Sequence, residues 1–373
     1  MPTTHPPLEQ SIRHTIELHG PLPFEIFLQL ALYHPQLGYY ARTTHQVGKM
    51  GDFYTSVSVG PLFGTLLATR FLTWWQENGC PSPWRILELG AHDGKLAADI
   101  LTTLREISPT AWTALEYAIS EPLPHLHTAQ STLLTTLAKT LNLAPSLSAI
   151  ATTPLPGIAF GNEILDALPF HLIELSSGKW QQLHVTTAST PDTLSLTSLP
   201  PSPALASQLT ALPTTLPQPY RTELRTSFPP LLSAISACLT DGLLLFVDYG
   251  FAAPEYYHPQ RTTGTLRTFS HHTAAEDPLA TPGEIDITAH VDFTALAHAA
   301  APLGYLPTTF STQGTYLTHL AQPLLLAGTL HSQPHIAQFQ TLTHPAHLGM
   351  KFHAIEFQKN HPTPPTVAHR LAL

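Results

Sequence analysis

The stretch WRILELGAHDGKLAADILTTL, residues 84–104, constrains the fold of this chain more than any other. It begins with a short apolar run typical of a buried strand and turns between two glycines, Gly90 and Gly94. It then continues with apolar residues at helical spacing. A strand, a tight turn and a helix in this order open a series of parallel strands joined by crossover helices. The sequence therefore predicts an α/β fold.

Further apolar runs continue this α/β pattern. LEYAIS (115–120) and GIAFGNEILDALP (157–169) each predict a strand, and LLLFVDYG (243–250) is the clearest buried strand of the chain. A crossover helix is predicted over 127–141, and the segment 251–285 is expected to be a long functional loop.

Helical periodicity dominates the start of the chain. Apolar residues recur at helical spacing in 8–19, 24–33 and 61–79, so we expect a helical N-terminal extension. The rest is expected to form one domain that carries a hairpin and loop insertion. The expected domain bounds are 1–80 for the extension, 81–373 for the second domain and about 171–227 for the insertion.

Composition excludes several functions. The 373 residues carry a net charge of -9, which argues against a general nucleic-acid binder with a basic face. The sequence contains no run of about 18 apolar residues, so no membrane span is predicted. The start MPTTHPPLEQ has no signal-peptide or transit-peptide pattern, so a bacterial cytoplasmic location is expected. The two cysteines, Cys80 and Cys238, cannot form a disulfide framework or a Cys-rich zinc site.

The first candidate binding residues lie at the ends of two predicted strands. Glu88, Gly90 and Gly94 follow one strand, and Glu121 follows the next. Glycine turns expose backbone N–H groups, and an acid at a strand end can accept ribose hydroxyls or pair with an ammonium. The spacing is neither G-x-G-x-x-G nor a Walker A loop. Together these residues indicate an adenosine-bearing ligand without a pyrophosphate, such as S-adenosylmethionine; an ordinary tight turn with solvated acids is the alternative.

A second polar group follows the strand within 157–169. Asn162, Glu163 and Asp166 place two carboxylates and an amide just after a strand end. Such a set can bind a cationic substrate and accept its proton. Helix capping by Asn162 is the alternative.

Two further polar positions are candidates. Asp248 ends the clearest buried strand, where an unpaired charge is costly, so it has either a functional role or a structural hydrogen bond. His290 lies with Asp286 and Asp292 in the motif DITAHVDF. Spacing alone does not show that these three converge on a metal, and we expect no metal site.

The motifs together resemble a known family. GDFYTS, ILELGAHDGKLAADIL, GNEILDALP, LLFVDYGF, GEIDITAHVDF, STQGTYL and HPAHLGMKF follow the order seen in the MidA-like S-adenosylmethionine-dependent methyltransferases. The resemblance spans Pro21 to about Lys359. It implies a class I methyltransferase fold of Rossmann-like type, with a mostly parallel seven-stranded sheet, one late antiparallel strand, helices on both faces and a helical N-terminal extension.

The resemblance also gives a role to the glycine-rich segment 48–64, which is too polar for a core strand. In this family the N-terminal segment folds over the cofactor, here S-adenosyl-L-methionine. The implied contacts with its methionyl end come from Gly51, Asp52, Phe53, Thr55 and Ser56.

One residue departs from the family pattern. Relatives commonly have a glycine where this chain has His92, so the backbone there is strained if it needs a positive φ. A weakened cofactor site would favour a non-catalytic role.

The resemblance implies methyl transfer to an arginine of a protein substrate, possibly a respiratory-complex subunit. Glu163 and Asp166 would orient the guanidinium, and Asp248 or His290 would help to accept the released proton. Two alternatives remain: an assembly or binding protein that keeps the pocket without catalysis, and a nicotinamide-dependent oxidoreductase. The missing G-x-G-x-x-G disfavours the oxidoreductase.

Overall fold

The structure is a computed structural model that describes residues 6–41, 55–188, 193–270, 273–274, 277–330 and 332–373. The described strands, numbered in chain order, are β1 Leu22–Pro23, β2 Trp84–Leu89, β3 Leu115–Ser120, β4 Thr140–Ala144, β5 Leu155–Asn162, β6 His171–Ser176, β7 Lys179–Thr187, β8 Leu194–Leu199, β9 Tyr220–Leu224, β10 Leu239–Phe251, β11 Arg267–Ser270, β12 Thr273–Ala274, β13 Asp286–Thr288, β14 Val291–Asp292, β15 Tyr305–Thr312 and β16 Phe352–Lys359.

The described α-helices are α1 Pro7–His19, α2 Phe24–Tyr33, α3 Ser56–Val59, α4 Leu62–Glu77, α5 Lys95–Ile107, α6 Pro109–Ala114, α7 Pro124–Leu134, α8 Leu147–Ile150, α9 Pro203–Leu209, α10 Phe228–Cys238, α11 Ala253–Tyr256, α12 Phe293–Ala300, α13 Gln313–Leu326, α14 Gln333–Thr343 and α15 Pro365–Leu371. Short helical turns cover Tyr39–Ala41, Ala301–Leu303 and Pro345–Gly349. Among the described helices, none is both long enough and apolar enough to cross a membrane.

By its internal contacts the chain divides into two compact units, each built from separate segments. The larger unit comprises the described residues of 55–166, Phe228–Ala253 and Val291–Leu373, and the smaller unit those of 6–41, Ala167–Ser227 and Pro254–His290. The expected domain boundary at residue 80, with its insertion at about 171–227, stays a prediction about domain organisation.

The larger unit contains one extended sheet with the strand order β15-β16-β10-β5-β2-β3-β4, and β14 pairs with the end of β10. The pairs β10–β5, β5–β2, β2–β3 and β3–β4 are parallel, whereas β16 is antiparallel to both β10 and β15. The predicted mostly parallel seven-stranded sheet with one late antiparallel strand is therefore confirmed, with β14 as a short addition.

The apolar sequence of β2 explains its central position. All six residues of Trp84–Leu89 are buried, as expected for a parallel strand that is covered on both faces. The helix that follows, α5, buries one apolar face against the sheet, and α4 packs beside it. Each fully buried large apolar side chain there contributes about 1.5–3 kcal/mol relative to exposure.

The smaller unit has an antiparallel sheet with the order β1-β7-β6-β9, and β8 pairs with β7. The hairpin predicted at the start of the insertion is confirmed, since β6 and β7 pair around a turn in which Ser177 and Gly178 have φ values of 52° and 74°. The apolar faces of α1 and α2 pack against this sheet.

Two element predictions are wrong. The helix predicted over 127–141 ends at Leu134, and Thr140–Ala144 forms β4 because it finds a partner strand in β3. The segment 251–285, predicted as a loop, contains α11, β11 and β12. Strand β11 forms by pairing with β13, a distant partner that local sequence patterns do not reveal.

Candidate active site

The candidate site is built at one edge of the larger unit's sheet. In the pairing register, Leu89 of β2 lies opposite Ser120 of β3 and Gly161 of β5, and Asn162 lies opposite Val247 of β10. These four strands are parallel neighbours, so their carboxyl ends meet. Chain order reverses beside β2, and ligands of open α/β sheets bind at such a switch point.

Glu88 is buried beside the end of β2. The residue is only 3% exposed, and the Tyr117 hydroxyl donates a 2.7 Å hydrogen bond to Glu88 Oε2. The pKa of Glu88 is raised to about 8, chiefly by burial; the charges of Glu121 and Asp93 act in the same direction and the Tyr117 hydrogen bond in the opposite one. A cation that binds beside Glu88 would favour its ionised form.

The turn after β2 has three residues in left-handed backbone conformations. The φ values are 62° at Gly90, 48° at His92 and 82° at Gly94. The strained path expected for a bulky residue in this turn is therefore found at His92. The His92 carbonyl accepts a 2.8 Å hydrogen bond from Gln130 Nε2, and its side chain is about half exposed, at 47%.

Glu121 follows β3 and faces this turn. The backbone N–H of Leu123 donates to Glu121 Oε1 at 3.2 Å, and the backbone N–H of His92 faces the same carboxylate. Burial raises the pKa of Glu121, and both N–H groups act in the opposite direction. The carboxylate thus links the glycine turn to the end of the neighbouring strand.

The turn after β5 carries the second acidic group. Glu163 has a φ of 55°, and its backbone N–H donates a 2.8 Å bond to the Val247 carbonyl. Its carboxyl group accepts a 3.0 Å hydrogen bond from Asn162 Nδ2, and the backbone N–H of Ser56 faces it. The pKa of Glu163 is raised to about 8, chiefly by burial and also by the charge of Asp166, while Asn162 and the Ser56 N–H act in the opposite direction.

Asp248 holds that turn in place. Its residue is fully buried, and its Oδ2 accepts hydrogen bonds from the backbone N–H groups of Leu165 at 2.7 Å and Asp166 at 3.3 Å. The Tyr249 N–H donates to its Oδ1 at 2.8 Å. Burial and the charge of Asp166 raise the pKa of Asp248 well above its ordinary value.

The described part of the N-terminal cofactor segment begins at Thr55. Thr55 caps α3, and the fully buried Ser56 donates from its Oγ to Gln313 Oε1 at 2.9 Å. Gly51, Asp52 and Phe53, which we expect to cover the cofactor, lie outside the described residues.

His290 belongs to the smaller unit, where its backbone is fixed. Its N–H donates to Thr265 Oγ1 at 3.0 Å, and its carbonyl accepts a 2.7 Å bond from Arg225. Burial lowers the pKa of His290 to about 4, so its ring is neutral near pH 7.

The two acids near His290 in sequence have separate tasks. Asp286 accepts a 3.0 Å bond from the Tyr40 hydroxyl, and Asp292 caps α12 through the N–H groups of Thr294 and Ala295. Among the described residues, no group of three or more His, Cys, Asp or Glu side chains could hold a metal.

The sheet edge fits an adenosyl cofactor with an amino-acid tail. Asn162 Oδ1 is buried without a hydrogen-bond partner from the protein, so it is available as an acceptor. A Cβ atom at Gly90 would lie 3.1 Å from Ile164 Cγ2, closer than ordinary contact, and the φ of 62° also favours glycine there. The buried acids Glu88 and Glu121 complement an ammonium and a ribose.

A model of the S-adenosyl-L-methionine-dependent methyltransferase family Methyltransf_28 matches residues 66–308, more than half of the chain. The chain belongs to this family. It is an S-adenosyl-L-methionine-dependent methyltransferase, and this membership decides against the nicotinamide-dependent alternative.

Relatives and solved structures agree with this family. The chain is 29% identical to the mitochondrial protein arginine methyltransferase NDUFAF7 homolog of Drosophila melanogaster, over 93% of this chain and 84% of the relative. The identity with the mitochondrial protein arginine methyltransferase NDUFAF7 of Homo sapiens is 24%, over 93% and 82%. A crystal structure of a COG1565 superfamily member from Burkholderia thailandensis, bound to S-adenosyl-homocysteine, is similar with a TM-score of 0.82, 28% identity and coverage of 97% and 94%. The expected MidA-like family and its cofactor are thus confirmed.

Sequence reasoning missed three residues that organise this edge. Tyr117, Gln130 and Gln313 hold Glu88, the His92 turn and Ser56 respectively. Only Gln313 had a signal, since it lies in the motif STQGTYL, but the motif alone does not indicate which partner the amide binds.

Proposed function

We propose that this methyltransferase acts on the guanidino group of arginine in a protein substrate. The observation that supports the proposal is the acidic turn after β5, where the half-buried Glu163 and the buried Asp166 stand at the same sheet edge as the cofactor acids. The charges that act on the Glu163 carboxyl group come from another carboxylate, so a bound cation would stabilise the site. The printed names of the NDUFAF7 relatives, protein arginine methyltransferases, favour the same substrate class.

In this proposal, Glu163 and Asp166 bind and orient the substrate. When bound, the cofactor supplies an electrophilic methyl group on a sulfonium. The two carboxylates accept N–H bonds from the guanidinium and hold one nitrogen in line with that methyl carbon. A carbon–nitrogen bond forms as the carbon–sulfur bond breaks, and the nitrogen then releases one proton. Glu163, with a pKa of about 8, is suited to accept that proton.

The remaining predicted catalytic residues, Asn162, Asp248 and His290, have different proposed roles. Asn162 orients Glu163 through its amide, and Asp248 fixes the backbone of the turn through the N–H groups of Leu165 and Asp166. We therefore assign Asp248 to positioning rather than to proton transfer. His290, whose ring is neutral near pH 7, stays a candidate proton acceptor.

The cofactor residues keep the roles expected from the sequence. Glu88 pairs with the ammonium of the methionyl tail, and Glu121 accepts the ribose hydroxyls. The turn Gly90, His92 and Gly94 lets the backbone approach the cofactor closely. The expected cover comprises Gly51, Asp52, Phe53, Thr55 and Ser56.

The acceptor protein and the cellular location remain expectations of the same kind. A respiratory-complex subunit is the candidate acceptor implied by the resemblance, and a bacterial cytoplasm is the expected compartment.

The substitution Glu163→Gln tests the proposal. We expect it to keep the affinity for S-adenosyl-homocysteine, measured by calorimetry, and to lower methyl transfer by about 100-fold or more, since it removes an acid–base group. Methyl transfer is measured with labelled S-adenosylmethionine and proteins of a cell extract, followed by hydrolysis and detection of methylarginine. Glu106→Gln, at an exposed position of α5, is the matched control.

Two results would contradict the proposal. Wild-type transfer by Glu163→Gln would remove the role of this carboxylate. Cofactor binding by the wild-type protein, without methylarginine in any extract, would support the non-catalytic alternative.

A further inference from the structure

A buried chain of hydrogen bonds leads from α14 to Ser56, which lies beside Glu163. The Leu342 carbonyl accepts a 3.1 Å bond from Gln313 Nε2, and Gln313 Oε1 accepts a 2.9 Å bond from Ser56 Oγ. The backbone N–H of Ser56 in turn faces the Glu163 carboxyl group and lowers its pKa. Gln313 and Ser56 are fully buried, at 0% exposure, so water does not compete for these bonds.

The order of donors and acceptors in this chain is fixed. A backbone carbonyl can only accept, so the NH₂ group of Gln313 must face Leu342. The amide oxygen must therefore face Ser56, whose hydroxyl donates to it. An amide is the neutral side chain that offers a donor and an acceptor in this fixed geometry, which explains a glutamine at this position.

Two glycines allow α13 to approach the end of α14 closely enough for these bonds. A Cβ atom at Gly314 would lie 2.5 Å from the Thr343 carbonyl oxygen and 3.1 Å from the Gly349 carbonyl oxygen. A Cβ atom at Gly349 would also collide with the Thr343 carbonyl. The motifs STQG and HPAHLG, which have no role in the cofactor site described above, thus meet next to Gln313.

A second glutamine fastens the same N-terminal segment. Gln338 of α14 accepts a 3.0 Å bond at its Oε1 from the backbone N–H of Leu62. The side chain of Gln338 also fills the space beside Gly60. The stretch from Ser56 to Leu62 is therefore held by α13 and α14 together.

We propose that Gln313 is a positioning residue for methyl transfer, which acts through Ser56 by holding its backbone N–H against the Glu163 carboxyl group. This inference rests on the proposed role of Glu163 in binding the guanidinium. It gives the STQG motif a task at a site whose reacting groups it does not touch.

The titration of Glu163 tests the inference without a methyl acceptor. The carboxyl carbons of glutamate are labelled with ¹³C, and the Glu163 resonance is assigned by its loss in Glu163→Gln. In Gln313→Leu we expect its titration midpoint to rise by about one pH unit, because a hydrogen bond to the ionised form is weakened. The titratable groups that face Glu163 are Asp166 of its own turn and Asp248 and Tyr249 of β10.

The matched control is Gln340→Leu, an exposed glutamine on α14, which is expected to leave the midpoint unchanged. If Gln313→Leu does not fold, Ser56→Ala removes the hydroxyl alone and is expected to raise the midpoint by a smaller amount. With an acceptor in hand, the low-pH limb of the kcat/KM profile should move to higher pH in Gln313→Leu.

An unchanged Glu163 midpoint in folded Gln313→Leu or Ser56→Ala would overturn the inference. That failure differs from failure of the proposed function, which would appear as undiminished methyl transfer by Glu163→Gln.

Discussion

At the residue scale, two residues other than glycine adopt a left-handed backbone conformation at the candidate site. His92 and Glu163 have φ values of 48° and 55°, in the turns that follow β2 and β5. Such conformations cost about 1–3 kcal/mol each and persist only where neighbouring bonds hold them. The sequence indicated this strain for His92, because the residue lies between Gly90 and Gly94 in a tight turn. It did not indicate the strain at Glu163, because no glycine marks that turn.

We expect His92→Gly to stabilise the protein by about 1 kcal/mol, because glycine adopts this φ without strain and the gain exceeds its entropic cost. The bond from Gln130 to the backbone carbonyl of residue 92 is retained in this variant. Urea denaturation measures the change in the free energy of unfolding. The control is His125→Gly within α7, which is expected to destabilise by a similar amount. A destabilised His92→Gly would show that the imidazole makes contacts that outweigh the strain.

At the element scale, local patterns predicted the elements that carry their own signal. The amphipathic α5, the buried β10 and the hairpin β6–β7 all follow from periodicity or turn residues. Strands β4 and β11 were missed because their formation depends on pairing with distant strands. The close approach of α13 and α14 was hidden for the same reason, since it depends on two glycines that meet only in the folded chain.

Gly314→Ala tests that approach of helices. The new methyl group would overlap the Thr343 carbonyl, so we expect a loss of about 1–3 kcal/mol in the free energy of unfolding. His319→Ala, an exposed change on the same helix, should have an effect within about 0.5 kcal/mol. Thermal and urea unfolding provide the measurement. Equal stability of the two variants would mean that the helices can separate without loss.

At the scale of the whole molecule, buried acids couple stability to pH. Glu88 and Glu163 have pKa values of about 8 in the folded protein, raised by burial above the ordinary glutamate value of 4.5. The folded state therefore binds more protons than the unfolded state between these values, and stability decreases as pH rises through this range. Asp248 acts in the same direction. The lowered pKa of His290, about 4, acts in the opposite direction, but only below pH 6.5.

We therefore expect the free energy of unfolding to fall between pH 6.5 and 8.5, by about 2 kcal/mol for each of the two glutamates. Melting temperature measured across this range should decrease, and Glu88→Gln should reduce the slope because it removes one titrating group. Exposed Glu106→Gln is expected to retain the wild-type slope. A melting temperature that is flat or rises with pH would contradict this assignment of buried acids.

The position of β16 affects how the chain can fold during synthesis. β16 is the last strand of the sheet in chain order, yet it lies between β10 and β15 and pairs with both. Until residues 352–359 have left the ribosome, the edge of β10 over Leu243–Tyr249 lacks its native partner, and β15 cannot join the sheet. Exposed strand edges promote aggregation of nascent chains. The sheet can thus close only after β16 has emerged, and the unpaired edge of β10 is an aggregation risk for the nascent chain until then.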